Sequence, residues 1–329
     1  MAKRAGVAVS TVSRVLNRSG YVSPGTRKKV LEAVKEMNYE PNQVARSLVG
    51  KDSKTIGLIL PDIMNPFFPA LARGVEDAAR RYGFAVILGN TDNEAKHQEA
   101  YLRTMQQKQV DGIIITGTNV CDRMVQQLLQ QGMKILLIDR PMQVEGVDLV
   151  ACDNIAGALK ATTCLLELGH RNISFISGPL ALGPAKDRLE GYRRALHTYG
   201  IPFRNEYVAE GDFRYERGYE AMQELLTLPE PPTAVFASND LMAIGAIKAI
   251  EKAGLQVPDD ISVVGYDDIM LASLFKPALT TVIQPCYRMG AAAAELLIKR
   301  ITGEERGGPQ QIIFTPALAI RETVGGLKQ

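Results

Sequence analysis

Ten short apolar runs, most of them separated by amphipathic stretches, constrain the fold of this 329-residue chain more than any other feature. Continuous apolar runs of this length are typical of strands that are buried on both faces of a parallel sheet. The runs span residues 55–60, 84–89, 112–116, 134–139, 149–153, 173–178, 233–238, 261–267, 280–285 and 311–315. Helical periodicity fills intervals at 69–82, 94–107, 155–168 and 241–252. The alternation predicts an α/β protein whose parallel sheets are covered by helices on both faces.

Glycines follow several helical stretches and mark where those helices should end. Gly83, Gly132, Gly169, Gly200 and Gly254 stand where a left-handed residue would terminate a helix. Ten strands are too many for one ordinary sheet of this kind, so we expect the body of the chain to divide into two lobes.

The N-terminal run VAVSTVSRVLN, residues 7–17, has the pattern of a DNA-recognition helix. As a helix, it places Val12, Val15 and Leu16 on one buried face. Arginine matches the two acceptors on a guanine edge, and short hydroxyls can reach phosphates or bases. The side chains that project away from the buried face are Val9, Ser10, Ser13 and Arg14. On this motif alone, an ordinary amphipathic helix remains the alternative.

Charge is unevenly distributed along the chain. Residues 1–54 carry eleven Lys or Arg side chains against four acidic ones, which gives a net charge of +7. The whole chain carries +2, so the remaining residues carry −5. A basic head on a mildly acidic body is the pattern expected of a protein that neutralises nucleic-acid phosphates with one end.

Several function classes find no support in the sequence. No apolar run is as long as a membrane helix, and the basic, polar N-terminus differs from a signal peptide, so we expect a cytoplasmic protein. The chain lacks glycine-rich phosphate loops and a GxSxG elbow, and its three histidines lack metal-ligand spacing. We therefore expect no cofactor, no metal and no catalysis. The four cysteines show no CxxC pairing and are expected to be buried free thiols.

Polar and aromatic side chains recur where predicted strands end, which is where open α/β sheets bind their ligands. Carboxylates, amides and guanidinium groups can each engage two neighbouring sugar hydroxyls, and aromatic faces can cover the apolar patches of a sugar. Each residue taken alone could equally be a helix cap or part of the core. Together they predict a polyol-binding set, called here the effector set: Asn65, Phe67, Phe68, Asp139, Arg140, Arg188, Phe213, Asn239, Asp267 and Gln284.

Eight ordered motifs, spread over essentially the full length of the chain, resemble those of the LacI/GalR family of transcriptional regulators. They are TVSRVLN (11–17), VSPGTRKKVLEAVKEMNYEPNQVARSL (22–48), IGLILPDIMNPFF (56–68), VDGII (110–114), LGHRNI (168–173), ASNDLMAIGAI (237–247), VVGYDD (263–268) and PALTTVIQP (277–285). The resemblance implies a three-helix, helix-turn-helix head at 1–40, a hinge helix and linker at 41–54, and a body at 55–329 like that of periplasmic sugar-binding proteins. Its N-lobe would span about 55–152 and 285–312, and its C-lobe about 153–284 and 313–324.

The resemblance also implies a homodimer that reads a palindromic operator. It assigns base contacts to Val9, Ser10 and Arg14 and places Thr11, Ser13 and Asn17 nearer the phosphates. In the hinge it assigns operator contacts to Val44, Arg46 and Leu48, with Leu48 as a wedge in the minor groove. A helix of about eight or nine residues is too short to persist alone in water. We therefore expect the hinge helix to fold only when it is docked on the operator.

Ser23 and Pro24 are an N-cap and a first-turn proline, and they predict a third helix from residue 24 to 37 with Val30, Leu31 and Val34 facing inward. Two departures from the family pattern concern the region before it. Relatives carry a few further residues ahead of Met1, so we expect the first helix to be a stub at 2–5, and an upstream start remains an open alternative. Ala8 stands where the family places a capping serine, a loss that costs about 1 kcal/mol.

The effector set resembles the pocket of ribose-binding proteins position for position. It implies a repressor that a small neutral sugar releases from its operator, with ribose favoured. Another sugar, a nucleobase or a phosphorylated carrier protein acting as corepressor remain alternatives within the family, and a sugar-binding transport protein is the alternative outside it. Leu182 and Pro184 stand where purine-responsive relatives carry polar groups, which argues against a nucleobase. The aspartates of the set disfavour a sugar phosphate.

Overall fold

The computed structural model describes residues 1–16, 20–37, 53–116, 122–139 and 146–327. The chain divides into two compact units, residues 1–53 and residues 54–329. The first unit holds helices α1 (Ala2–Ala5), α2 (Val9–Leu16) and α3 (Pro24–Glu36), and α1 is the four-residue stub that the sequence predicts. The core of this head is small and consists of Ala5, Val12, Val15, Val30 and Ala33.

Helix α3 begins as predicted but presents a different face to the core. Ser23 Oγ accepts a hydrogen bond from the backbone amide of Thr26 at 3.4 Å, and Pro24 occupies the first turn. Val30 is fully buried, whereas Leu31 is 51% exposed, so the prediction that Leu31 faces inward is wrong. Residues three and four apart share a helix face, and the inward positions after Val30 are therefore Ala33 and Val34.

Some predicted features lie outside the described residues. These are Asn17, the hinge helix with Val44, Arg46 and Leu48, and also Cys121 and Arg140. The roles assigned to them from the sequence stay predictions.

The second unit contains two six-stranded sheets, each of which organises one lobe. The N-lobe strands are β1 (Thr55–Leu60), β2 (Ala85–Asn90), β3 (Gly112–Thr116), β4 (Lys134–Ile138), β5 (Asp148–Cys152) and β11 (Gln311–Phe314). The C-lobe strands are β6 (Ile173–Ser177), β7 (Val208–Glu210), β8 (Ala234–Ala237), β9 (Ser262–Asp267), β10 (Thr280–Ile283) and β12 (Ala317–Ala319). The sheet orders are β11-β5-β4-β3-β1-β2 and β12-β10-β9-β8-β6-β7, and every pair is parallel except β10 with β12.

Helices cover the sheets, and several pack closely enough to require glycine at the contact. They are α4 (Phe67–Arg81), α5 (Ala95–Gln107), α6 (Asp122–Gln130), α7 (Asn154–Glu167), α8 (Gly183–Thr198), α9 (Tyr215–Leu226), α10 (Asp240–Lys252), α11 (Met270–Leu274) and α12 (Cys286–Thr302). A Cβ atom on Gly74 would overlap the carbonyl oxygen of Tyr287, and one on Gly290 would overlap that of Leu71. Helices α4 and α12 therefore cross with their backbones in contact. Helix α12 thus packs in the N-lobe, although it directly follows a long C-lobe segment in the chain.

The α/β fold and the two lobes are confirmed. All ten predicted strands are present, and their ends agree with the prediction within two residues. The three-residue strands β7 and β12 were not predicted. The five glycines expected to end helices all have positive φ. Within the described ranges, no helix is both long and apolar enough to cross a membrane.

The described cysteines are free, but only one of them is fully buried. Cys152 lies in the core, whereas Cys164 and Cys286 are half-buried, so the expectation of buried thiols is too strong for these two. Burial raises the pKa of the Cys152 thiol to about 12, which leaves it protonated and unreactive.

Candidate functional site

A cleft opens between the N-lobe and the C-lobe, where strand ends of both sheets meet. It has about 720 Å³ of free volume, including the part that is open to solvent. The cleft is lined by Pro61, Asp62, Asn65, Phe67, Phe68, Asn93, Thr116, Ile138, Asp139, Leu182, Pro184, Arg188, Asp212, Phe213, Asp267 and Gln284. Eight of the nine described residues of the effector set are among these, and Asn239 is the exception; Arg140 lies outside the described residues.

Asn239 has a supporting position beside the cleft rather than a place in its wall. Its Oδ1 accepts a hydrogen bond from Met242 N at 3.0 Å and caps α10. Its Nδ2 donates to the carbonyl oxygen of Phe213 at 2.9 Å. The side chain is only 1% exposed, and in this structure both of its polar atoms are engaged by the protein itself.

Aromatic rings face the cleft from both lobes. Phe67 and Phe68 begin α4 and meet edge to face, with ring centroids 5.1 Å apart. Asn65 starts this turn, because its Oδ1 accepts a hydrogen bond from Phe67 N at 3.1 Å. Phe213 comes from the C-lobe, where its ring occupies the space that a Cβ atom on Gly178 would need. The cleft thus offers apolar ring surfaces that can cover the C–H patches of a ligand.

The two carboxylates that follow central strands have left-handed backbones. Asp139 follows β4 with a φ of 62°, and Asp267 ends β9 with a φ of 111°. Phe213 and Asn93, which also line the cleft, have φ values of 69° and 59°. Non-glycine residues adopt this region at an energetic cost, and such residues concentrate at ligand sites. Their clustering here supports a binding role for the cleft.

Arg188 projects from α8 and is 4% exposed. Its Nε donates to Asn154 Oδ1 at 2.9 Å, and its Nη1 donates to the carbonyl oxygen of Ser238 at 2.5 Å. The guanidinium carbon lies 3.8 Å from the ring centroid of Tyr266, and Nη1 lies 3.9 Å from Asp267 Oδ1. Among the described residues Nη2 donates to none, so its two N–H groups remain for a ligand.

Four aspartates line the cleft, and the guanidinium of Arg188 lies near two of them, Asp139 and Asp267. Enclosure raises the pKa of Asp139 to about 6, although Arg188 and a hydrogen bond from Asn154 favour its ionised form. Burial also raises the pKa of Asp267, against the opposing effects of Arg188 and of the Gln284 amide, which donates to Asp267 Oδ1 at 2.7 Å. A neutral donor can satisfy such oxygens, whereas an anion would add repulsion in an enclosed space.

Two further polar atoms in the cleft wall lack partners within the described part of the chain. Gln284 Oε1 and Thr116 Oγ1 belong to side chains that are 3% and 1% exposed, and neither atom makes a hydrogen bond there. A buried polar atom without a partner is costly. A ligand that carries hydroxyl groups would satisfy both atoms, because a hydroxyl is donor and acceptor at once.

Two residues of this site, Thr116 and Asn154, do not belong to the effector set predicted from the sequence. Thr116 ends β3 at the cleft, and the strand-end argument that found Asp139 would also have found it. Asn154, the first residue of α7, contacts both Asp139 and Arg188 from behind the wall. Nothing local in the sequence distinguishes Asn154 from an ordinary residue at a helix start.

In the head, α2 presents the surface that its sequence pattern predicts. Val12 and Val15 are buried at 7% and 5% exposure, and Leu16 is half-buried. Ser10, Ser13 and Arg14 are exposed, Thr11 is half-buried, and Val9 is 75% exposed. Ala8 precedes the helix, and its carbonyl accepts hydrogen bonds from the amides of Thr11 and Val12, but its methyl group cannot cap the helix.

A helical head and a two-lobed receptor body define the class of protein, and comparison with protein families agrees with it. Residues 1–42 match the model described as bacterial regulatory proteins, lacI family. Residues 53–322 match the model described as periplasmic binding proteins and sugar binding domain of LacI family.

Two relatives are similar over nearly the whole chain. A ribose operon repressor from Halalkalibacterium halodurans is 43% identical over 326 residues, which cover 99% of this chain and 96% of the relative. Catabolite control protein A from Priestia megaterium is 41% identical over 306 residues, which cover 92% of each chain.

Two solved structures are similar in fold. A LacI family transcriptional regulator from Enterococcus faecium with bound ribose is 34% identical, with a TM-score of 0.75 over 83% of this chain and 100% of that chain. The lac repressor dimer bound to operator and the anti-inducer ONPF is 30% identical, with a TM-score of 0.88 over 98% of this chain and 97% of that chain.

The chain belongs to the LacI family of bacterial regulatory proteins. It is a DNA-binding transcriptional repressor of that family and not an enzyme. The match of residues 1–42 to a regulatory head also excludes the alternative that the chain is a transport-type sugar-binding protein.

Proposed function

We propose that this repressor binds a palindromic operator as a homodimer in the cytoplasm and that a small neutral sugar, with ribose favoured, releases it. The cleft carries the proposal, because eight residues selected from the sequence as sugar ligands converge there from both lobes. Carboxylates, an amide and a guanidinium are the groups that engage neighbouring hydroxyls two at a time.

Two features of the cleft favour a neutral sugar over the other effector classes, and two similar proteins favour ribose. Asp139 and Asp267 would repel a phosphate, since a single guanidinium is near both. Leu182 and Pro184 give the wall an apolar surface and offer no side-chain donor to a nucleobase. The relative named ribose operon repressor and the ribose-bound regulator support ribose in particular. Another sugar of similar size is the nearest alternative.

Release requires that sugar binding and operator binding favour different arrangements of the dimer. A sugar that contacts residues of both lobes stabilises their closed arrangement, which would move the N-lobes across the dimer and separate the paired hinge helices. Linkage then requires operator to weaken sugar binding by the same factor by which sugar weakens operator binding. The corresponding coupling free energy is typically about 1–3 kcal/mol. Val44, Arg46 and Leu48 are the hinge residues proposed to contact the operator.

The homodimer needs a surface, and large apolar side chains are exposed at several places on the body, among them strand β2 and helix α11. Ile87 and Leu88 on the edge strand β2 are 36% and 40% exposed. On α11, Met270 and Leu274 are 74% and 65% exposed. Exposed apolar side chains are typical of protein interfaces, and their presence on both lobes fits an isologous dimer.

Calorimetry tests the effector. Ribose is titrated into the full-length protein beside a panel of other neutral pentoses and hexoses, ribose 5-phosphate and purine bases. Saturable binding of ribose or another neutral sugar, with none for the phosphate or the purines, is the expected result. Tighter binding of a purine or of the sugar phosphate would reject the neutral-sugar assignment.

DNA binding is tested on a palindromic duplex selected from a randomised pool. We expect affinity to fall steeply with salt and to fall again when ribose is added. A gain in affinity with ribose would make the sugar a corepressor and overturn the proposed sign. Leu48→Ala should weaken operator binding and leave sugar affinity unchanged, and equal operator affinity would refute its role as a wedge.

A further inference from the structure

The side chain of Asn154 joins a carboxylate of the N-lobe to the guanidinium of the C-lobe. Its Nδ2 donates to Asp139 Oδ1 at 3.1 Å and to the carbonyl oxygen of Cys152 at 3.3 Å. Its Oδ1 accepts from Arg188 Nε at 2.9 Å. The residue is 5% exposed and does not line the cleft.

Only one orientation of this amide satisfies its neighbours. The reverse orientation would turn the amide oxygen toward the Asp139 carboxylate and the NH₂ group toward the Arg188 guanidinium, so both contacts would be repulsive. In the observed orientation both amide hydrogens and the oxygen are engaged. Among neutral side chains of this length, only the asparagine amide carries a donor on one side and an acceptor on the other.

Asn154 lies close to the point where the chain passes from the N-lobe to the C-lobe. Strand β5 of the N-lobe ends at Cys152, and α7 of the C-lobe starts at Asn154. The residue therefore stands directly after a crossing between lobes. Asp153, at the crossing itself, caps α7 by accepting a hydrogen bond from Ala156 N at 2.9 Å.

Asn154 also affects the charge of Asp139. Among the charged groups that act on this carboxylate, Arg188 favours the ionised form and Asp187 opposes it, while Asp139 in turn raises the pKa of Asp267. Enclosure opposes ionisation most strongly, and the Asn154 hydrogen bond counteracts it. Loss of that bond would raise the pKa of Asp139 further and so enlarge its protonated fraction, which accepts hydrogen bonds from sugar hydroxyls less well.

We propose that Asn154 is a positioning residue for the effector: it keeps Asp139 an ionised acceptor and fixes the guanidinium plane of Arg188, although it does not touch the ligand. This inference rests on the proposed function, since it assumes that the ligand donates hydroxyl protons to Asp139. Its electrostatic part is independent of any ligand and can be tested on the sugar-free protein.

The first experiment follows the side-chain carboxyl carbon of Asp139 by NMR in the sugar-free, full-length protein, with Asp139→Asn used for assignment. Asn154→Leu removes the donor, and Asn154→Asp replaces it with a second acceptor but keeps a partner for Arg188. We expect the titration midpoint of Asp139 to rise in both variants, and to rise more in Asn154→Asp. An unchanged midpoint in whichever variants fold would overturn the inference.

The second experiment measures ribose affinity by calorimetry from about pH 6 to about pH 8.5. Because the midpoint of Asp139 is about 6, a rise of one unit would lower affinity about fivefold at pH 6 and hardly at all at pH 8.5. Asp153→Ala is the matched control, because it weakens the start of α7 without touching Asp139 or Arg188. A loss that is equal at all pH values and matches the control would make Asn154 merely structural and reject the inference. If the wild-type protein bound no sugar, the proposed function would fail, and the NMR titration would still decide the role of Asn154.

Discussion

The Nη2 atom of Arg214 lies 3.4 Å from Asp62 Oδ2, and this ion pair joins the C-lobe to the N-lobe beside the cleft. Asp62 lines the cleft and Arg214 follows the cleft residue Phe213. Because the two side chains belong to different lobes, the pair favours the arrangement of the lobes that brings them together. Arg214 is more than half exposed, and an exposed pair of this kind contributes little on its own.

Removal of this ion pair should loosen the closed arrangement slightly. We expect Arg214→Ala to weaken sugar affinity about two- to fivefold, mainly through faster dissociation, and the loss should shrink as salt is added. Stopped-flow fluorescence with ribose measures it. Arg217→Ala is a suitable control, because Arg217 forms its ion pairs within the C-lobe. Equal dissociation rates for wild type and Arg214→Ala would show that the pair does not hold the cleft closed.

Arg188 and Asp267 should both be essential for sugar binding. Either truncation leaves a charged partner in an enclosed site without its counterpart, and such changes cost about 2–5 kcal/mol. We therefore expect Arg188→Ala and Asp267→Ala to reduce ribose affinity by at least about 30-fold in calorimetry. Arg194→Ala, on the same helix as Arg188 but paired with Glu190 at the surface, should retain wild-type affinity. Unchanged affinity in either cleft variant would show that the site is wrongly assigned.

Sugar affinity should rise with pH. The raised pKa of Asp139, about 6, means that this carboxyl loses its proton as pH rises through that value, and the ionised form accepts sugar hydroxyls better. Affinity should be about fourfold lower at pH 5.5 than at pH 7.5 from this group alone. Calorimetry in buffers of different ionisation enthalpy would detect the released proton, and Asp139→Asn should remove this part of the dependence. A flat profile across that range would contradict the prediction.

Without sugar, the same group acts on stability in the opposite direction. Its folded pKa lies above the ordinary value of 3.8, so the folded state binds the proton more tightly than the unfolded state does. The contribution of Asp139 to the free energy of unfolding is therefore greatest at acidic pH and decreases as pH rises from 3.8 to about 6. Because the ionised form of Asp139 binds sugar better, the shift of the melting temperature that sugar causes should be larger at neutral than at acidic pH.

Gly178 should be required for the place of the Phe213 ring. A Cβ atom there would overlap the ring, and Phe213 already has a left-handed backbone, so the ring cannot move freely. We expect Gly178→Ala to lower sugar affinity about tenfold, in the range that overpacking costs. Gly183→Ala is the matched control, because nothing lies within 4 Å of the added methyl group. If calorimetry gives both variants the same affinity as the wild type, Phe213 does not shape the binding surface.

Most of the cleft was predictable because strand ends were predictable. Continuous apolar runs fix where strands such as β4 and β9 finish, and parallel sheets bring those ends to one edge, so Asp139 and Asp267 could be named from the sequence. Asn239 shows the limit of this argument. It follows a strand as required, but its amide caps α10 and holds the Phe213 carbonyl, and a sequence does not reveal which of two nearby partners an amide will take.

Three features could not be read from local patterns. Strands β7 and β12 have three residues each, too few to show a periodicity. The sequence favours Leu31 as an inward residue because it is apolar and adjacent to Val30, but the rotation of α3 about its axis leaves Leu31 exposed. Asn154 acquires its role only when Asp139 and Arg188, from separate elements, meet around its amide.

The recognition helix should gain stability from a cap that it lacks. Ala8 occupies the N-cap position of α2, where Thr11 N bonds only to its backbone carbonyl at 3.0 Å, whereas Ser23 caps α3 with its side chain. Ala8→Ser should add about 1 kcal/mol to the stability of α2, and Ser23→Ala should remove a similar amount from α3. Amide hydrogen exchange in the full chain measures both, as slower exchange over residues 9–16 in the first variant and faster exchange over 24–36 in the second. Because operator binding requires a folded α2, Ala8→Ser should also tighten it. Faster exchange over 24–36 without any slowing over 9–16 would show that the missing cap does not limit the head.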